Sequence, residues 1–261
     1  MKARFTMPIT VITVPCLSDN YAFVIGNTET GEAAVVDVPE AAPINAVLRD
    51  KGWTVKSVFL THHHDDHVMG LGDLDIAEDA QIIGAAADQH RLPPLTQAVS
   101  EGDTIMLCGE PAEILDVSGH TIGHIAAYMP TLGYAFTADS LMALGCGRLF
   151  EGTPDQMWQS MLKLRALPDD TVICSGHEYT ANNAKFAATI EPDNPHLISR
   201  IKAITSARTA NQPTVPSTLG LEKQTNPFLR ADDPALKATL GMHSASDSAV
   251  FAEIRQRKDS F

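Results

Sequence analysis

Along the first two thirds of the chain, apolar residues come in short runs broken by turn formers. Residues 9–15 (ITVITVP), 21–25 (YAFVI) and 33–38 (AAVVDV) are rich in β-branched and aromatic side chains, which predicts strands. Residues 41–51 have helical spacing and stop at Gly52. Residues 55–60 (VKSVFL) predict a strand that runs straight into a histidine-rich loop, and 81–85, 104–107, 113–117, 125–129 and 134–138 predict further strands. Residues 154–166 read as a helix with Thr153 at the N-cap and Pro154 at its first position, followed by a short strand at 171–174.

Past about residue 178 the pattern changes. Residues 179–190, 194–210, 234–240 and 248–258 predict helices, and no convincing strand stands among them. Residues 211–228 hold three prolines and little periodicity, so they read as a long loop. The expected organisation is an α/β body over 1–177 and a mainly helical segment over 178–261.

Composition narrows the function classes. With 261 residues and 44 % hydrophobic content, the chain is long enough for one large core. Its 32 acids against 19 bases give a formal charge of −13, which argues against nucleic acid held on a general basic surface. No stretch reaches the roughly 18 apolar residues of a membrane span, so no membrane partner is expected. The N-terminus, MKARFTMPIT, has no apolar stretch of the kind a secretory signal needs. Cys16, Cys108, Cys146 and Cys174 show no disulfide spacing, and four free thiols suit the cytoplasm.

The chemistry concentrates in residues 61–67, Thr-His-His-His-Asp-Asp-His. His62, His64, Asp66 and His67 fit a HxHxDH template. Imidazoles and carboxylates packed this densely are hard to satisfy in a core without a metal ion. On an extended backbone His62 and His64 point the same way, leaving His63 and Asp65 for orientation or solvent. Three more candidate ligands each follow a predicted strand: His120 in SGHTIGH, Asp139 in FTADS and His177 in CSGHE. His124 reads as a packing or supporting residue, and His90, His196 and His243 as residues outside the chemistry.

The segments THHHDDHVMG, SGHTIGH, FTADSLMALGCGRLFEG and SGHEYT resemble the metallo-β-lactamase superfamily. GCGRLFEG, GHEYT, TNPFLR and the ending IRQRKDSF are similar, more narrowly, to glyoxalase II, the hydroxyacylglutathione hydrolases. The resemblance spans essentially the whole chain. It implies a four-layer αββα sandwich with a helical C-terminal domain. It also implies two divalent metal ions, zinc first, with iron and manganese compatible with the same ligands. His62, His64 and His120 would hold one ion, Asp66, His67 and His177 the other, and Asp139 would bridge them. Two such ions can share and activate a water, so Asp66 and Asp139 become the catalytic carboxylates around a bridging hydroxide.

The implied substrate is a small-molecule glutathione thioester, typically S-D-lactoylglutathione, hydrolysed to glutathione and D-lactate in methylglyoxal detoxification. Such a substrate is anionic, so an acidic protein needs a local cationic clamp. Arg148, Arg255 and Lys258 are the implied cations, with Tyr179 as a donor to the glutathione backbone. Arg255 and Lys258 lie three apart and share a helix face. The chain departs from many relatives at Arg148 (lysine there), Phe150 (tyrosine), Ser175 (cysteine) and Ala138 (glycine). Of these, Phe150 loses a hydroxyl contact. A mononuclear-iron persulfide dioxygenase is the alternative within the superfamily, but it would not need the full second ligand set. A secreted β-lactamase, a nuclease and a decayed binding scaffold fit the chain less well, and a monomer is expected.

Overall fold

The computed structural model describes residues 8–261, so Met1–Met7, part of the segment read above for a secretory signal, lie outside the described residues. β1 (Ile9–Cys16), β2 (Asn20–Asn27) and β3 (Glu32–Val36) form an antiparallel meander. After helix α1 (Ala41–Lys51), the sheet continues in parallel through β4 (Thr54–Phe59), β5 (Ile76–Ala85) and β6 (Gln97–Val99). Gly52 closes α1 in the left-handed conformation at φ 65°, where glycine escapes the Cβ penalty. One turn of helix, α2 (Asp65–Val68), follows β4 and carries the second half of the histidine loop.

The second sheet begins with β7 (Thr104–Leu107), β8 (Glu110–Asp116), β9 (Ile125–Met129) and β10 (Tyr134–Ala138) as antiparallel neighbours. A small hairpin, β11 (Leu141–Met142) and β12 (Gly145–Cys146), and helix α3 (Pro154–Arg165) then lead to β13 (Val172–Ser175), parallel to β10. Thr153 and Gln156 form a reciprocal capping box at the start of α3, as the Thr-Pro signal predicts.

Four layers result. Phe23, Ile25 and Ile83 of the first sheet meet Ile105, Ile114 and Phe136 of the second, with the Phe23 and Phe136 rings edge to face at 5.6 Å. Ile44 and Leu48 of α1 cover the outer face of the first sheet against Val24, Val35 and Val58. Met157, Met161 and Leu164 of α3 cover the outer face of the second, joined by helix α8, described below. Each such fully buried side chain contributes about 1.5–3 kcal/mol of transfer free energy. The αββα sandwich expected from the motifs is therefore the architecture found.

The C-terminal part holds α4 (Thr180–Ile190), α5 (Pro195–Thr209), β14 (Ser217–Thr218), α6 (Leu219–Thr225), α7 (Pro234–Thr239) and α8 (Asp247–Asp259). Val250, Phe251 and Ile254 of α8 pack in one cluster with Trp158 of α3, so these helices close the core of the body. The expected loop at 211–228 is partly wrong. β14 pairs with β13 at the edge of the second sheet, and α6 follows at once. The expectation that no strand lies beyond residue 178 fails for the same reason. The α6 pattern escapes a hydrophobic reading because its buried face is Leu219, Glu222 and Thr225, with a charge at its centre. β6 is a further strand that the apolar pattern does not predict, because it is only three residues long.

Candidate metal centre

The loops that follow β4, β8, β10 and β13 bring together all seven sequence-predicted ligands. His62 is fully buried beyond β4, and its Nε2 lies 3.1 Å from Nδ1 of His64. His120 Nε2 approaches the same His64 atom at 3.0 Å. Three ring nitrogens thus converge, and protons alone cannot satisfy every pair among three neutral imidazoles. His63 turns away, as alternation requires, and its Nδ1 meets Asp88 at 2.8 Å.

Beside this trio stands a second group. Asp66 Oδ2 lies 3.4 Å from His177 Nε2 and 3.9 Å from His67 Nε2. Asp139 sits between the two sets. Its Oδ2 is 3.5 Å from His120 Nε2 and 3.3 Å from His177 Nε2, and its Oδ1 is 3.6 Å from His67 Nε2. His67 Nε2 and Asp139 Oδ1 are buried with no hydrogen-bond partner. Orphaned polar atoms facing one another inside a buried cluster are what a cation would satisfy. Three subsets hold their ligand atoms within 4.8 Å: His62, His64 and His120; Asp66, His67 and His177; and His62, His67 and Asp139. The donor set therefore fits metal ions.

Four of the seven ligands are aimed by partners that carry no signal as such in the sequence. Asp37, buried at the end of β3, meets His67 Nδ1 at 2.8 Å and accepts from the Thr61 amide and hydroxyl. Asp19 meets His177 Nδ1 at 2.9 Å, and the Arg148 carbonyl meets His120 Nδ1 at 2.8 Å. Asn20 donates to both the side chain and the carbonyl of Asp66. Such partners fix the tautomer and orientation of a ligating imidazole. The one sequence signal for Asp37 is an acid ending the otherwise apolar run AAVVD. His124 stacks on His62 at 4.6 Å and lies outside all three subsets, in keeping with a packing role.

Close approach explains two glycines. A Cβ on Gly176 would lie 2.5 Å from Asp139 Oδ1, and one on Gly147 would lie 2.1 Å from the Asp139 carbonyl. Ala138 holds φ at +40°, a conformation that favours glycine, in the turn that aims Asp139.

The electrostatics divide the cluster. Burial keeps His62, His64 and His120 below the usual histidine range. Burial also opposes charge on His67 and His177, but Asp139 outweighs it, aided by Asp37 and Asp19, and holds both above that range. Burial would raise the Asp139 carboxyl, yet His67 and His177 keep it well below the carboxylate range. Protons on His67 and His177 thus stand where a divalent cation would displace them.

Five of the ligands, His64, Asp66, His120, Asp139 and His177, line a cavity of about 700 Å³ that is also lined by Arg148, Phe150, Tyr179, Asn182, Arg255 and Lys258. All four candidate substrate contacts therefore face the space beside the candidate ligands. Tyr179 stacks on His177 at 4.6 Å and 7°. Phe150, 61 % exposed, stands edge-on to His64 and His120. Arg255 is buried, donates to the Cys146 carbonyl at 2.9 Å and lies over the Phe228 ring. The Lys258 ammonium is buried without a hydrogen-bond partner between the rings of Phe186 and Phe261. Burial, then the neighbouring Arg255, pushes Lys258 down to about 8. Asn182 and Asn183 were not singled out in the sequence, where nothing sets them apart.

A sandwich whose strand ends gather histidines and aspartates defines the metal-dependent class of αββα proteins. Residues 18–177 match the metallo-beta-lactamase superfamily, and residues 178–261 match the hydroxyacylglutathione hydrolase C-terminus. The hydroxyacylglutathione hydrolase of Ruegeria pomeroyi is 61 % identical over 98 % of this chain and 100 % of the relative. That of Roseobacter denitrificans is 60 % identical over the same shares. Among solved structures, the B3 metallo-beta-lactamase BLEG-1 superposes with a TM-score of 0.64 at 18 % identity, over 84 % of this chain and 99 % of that one. ETHE1 from Myxococcus xanthus superposes with a TM-score of 0.62 at 21 % identity, over 95 % and 89 %. These superpositions speak for the fold alone. The chain belongs to the hydroxyacylglutathione hydrolase family of the metallo-beta-lactamase superfamily.

Proposed function

We propose that this protein is a metal-dependent thioesterase that hydrolyses S-(2-hydroxyacyl)glutathione to glutathione and a 2-hydroxy acid, with S-D-lactoylglutathione as its typical substrate. The observation that carries the reading is one cavity lined both by candidate metal ligands and by the cations Arg148, Arg255 and Lys258. His62, His64 and His120 would hold one divalent ion and Asp66, His67 and His177 a second, zinc first, with Asp139 placed to serve either group. When bound, they supply Lewis acidity and a water activated at neutral pH. The chain's own residues do the rest. Asp37 and Asp19 hold His67 and His177 in register. The cations take the substrate carboxylate, and Tyr179, stacked on His177, is placed to contact the glutathione backbone. Asp66, His67 and His177 gather as a full second group, which favours the thioesterase over a mononuclear-iron persulfide dioxygenase.

The segment 178–261 is assigned as the substrate-binding part, supplying Tyr179, Arg255 and Lys258. A monomer in the cytoplasm completes the reading, the location being supported by four free cysteines, which suit a reducing compartment. The test is hydrolysis of S-D-lactoylglutathione by purified protein, followed at the thioester absorbance, with metal content measured on the same sample. Rapid hydrolysis with close to two ions per chain is expected. No hydrolysis, one iron per chain and oxygen uptake with glutathione persulfide would reassign it to the dioxygenases.

Substitution of Arg255 and Lys258 together by alanine is expected to raise KM for glutathione thioesters about 30-fold or more while kcat changes little, because the loss falls on binding. Lys258 binds a carboxylate only when protonated. Since its pKa is pushed down to about 8, kcat/KM should be level below that pH and fall as pH rises through it. Lys258→Arg, charged at every accessible pH, should lose that fall. A wild-type profile in the arginine variant would refute the assignment.

A further inference from the structure

We propose that Asp259 is a positioning residue of the substrate clamp, holding Arg148 and Arg255 in one arrangement before the substrate carboxylate arrives. The inference rests on the thioesterase reading above. Asp259 Oδ1 lies 2.9 Å from Arg255 Nη2 and 3.4 Å from Arg148 Nε. The two cations come from distant parts of the chain, Arg148 from the loop after β12 and Arg255 from α8. Asp259 is the acid that joins them.

Three observations separate this role from an ordinary surface pair. First, both arginines and Lys258 line the cavity, so Asp259 ties together two of the three cations that would meet the substrate. Second, Arg148 is 58 % exposed along its side chain and has no other ion-pair partner among the described residues. A long side chain left free in solvent loses substantial rotamer entropy when it binds, and a pre-formed contact removes part of that cost. Third, Asp259 ends α8, where a negative charge is disfavoured by the helix dipole. The i,i+4 pair with Arg255 supports the helix only weakly in this cation-first order, and the contact to Arg148 lies outside the helix altogether.

Asp259 also acts on Lys258. The ammonium is faced by Arg255 and Asp259 of its own helix and by the uncharged rings of Phe186 and Phe261. Across the cavity stand Arg148, Asp65, Asp66, His177 and Tyr179. Burial and Arg255 push its proton off, and Asp259 opposes them.

The test is Asp259→Asn, which keeps the shape and removes the charge. KM for S-D-lactoylglutathione is expected to rise about fivefold with kcat little changed. The Kd of the non-hydrolysable thioether S-methylglutathione, measured by calorimetry, should rise in parallel. The fall of kcat/KM with pH should move to lower pH than in the wild type, a change that a purely structural role would not produce. Asp259→Glu should restore most of the affinity, and the melting temperature should hold in both. Unchanged or lowered KM and Kd in Asp259→Asn, or a pH profile that does not move, would overturn the assignment. Failure of the wild type to hydrolyse the thioester would instead overturn the function on which it rests.

Discussion

Replacing His67 by alanine is expected to lower thioester hydrolysis by about 100-fold or more and to reduce the bound metal by about one ion per chain. His67 ties the second ligand group to Asp139 and to the first group. Its Nδ1 is held by Asp37, its Nε2 faces Asp139 at 3.6 Å, and its ring lies 4.2 Å from that of His62. It belongs to two of the three ligand subsets, so its loss opens the second group and loosens Asp139 between them. His62, His64 and His120 remain in mutual contact without it, so one ion per chain should persist. Metal analysis and the hydrolysis assay on the same preparation decide the matter. Near-normal turnover with two ions per chain would sink the proposed binuclear site.

Glu222→Ala is expected to destabilise the protein by about 3–5 kcal/mol, which corresponds to roughly 10 °C or more in melting temperature for a chain of this size. Glu222 is fully buried and its carboxylate is shared. One oxygen takes Arg200 and the Ser217 hydroxyl, and the other takes the Leu144 amide at 2.9 Å and Asn226. Truncation leaves the Arg200 guanidinium, only 6 % exposed, without its counter-ion. Pairing it with Arg200→Met should recover much of the loss, because two apolar side chains leave no buried charge behind. Thermal and denaturant unfolding of both variants provide the check. A melting temperature unchanged in Glu222→Ala would show that the buried pair contributes nothing. The effect should reach the site as well, since Leu144 lies in the hairpin that leads from Asp139 to Arg148.

Much of this molecule was legible before its tertiary structure. Alternating and continuous apolar runs located most strands, and the Thr153–Pro154 signal located the start of α3. The HxHxDH spacing was readable because extended backbone alternates side chains, which places His62 and His64 together and sends His63 to Asp88. Other parts were not legible. α6 hides a buried glutamate where a helix reading looks for an apolar residue, and Glu222 is intelligible only beside Arg200. Asp19 and Asp259 carry no local pattern that marks them as partners of His177 and Arg148, and for Asp37 the chain offers only an acid at the end of an apolar run.

The chain by itself determined the donor types, their order along the strand ends and the family to which they belong, because those depend on local spacing. Tertiary structure alone decided which partner aims each donor and which cations share a cavity. The separations show why. The Asp19–His177 contact spans 158 positions, the Glu222–Leu144 contact 78 and the Cys146–Arg255 contact 109. A contact between residues so far apart is set by the packing of two sheets and their covering helices, and no periodicity along the chain encodes it.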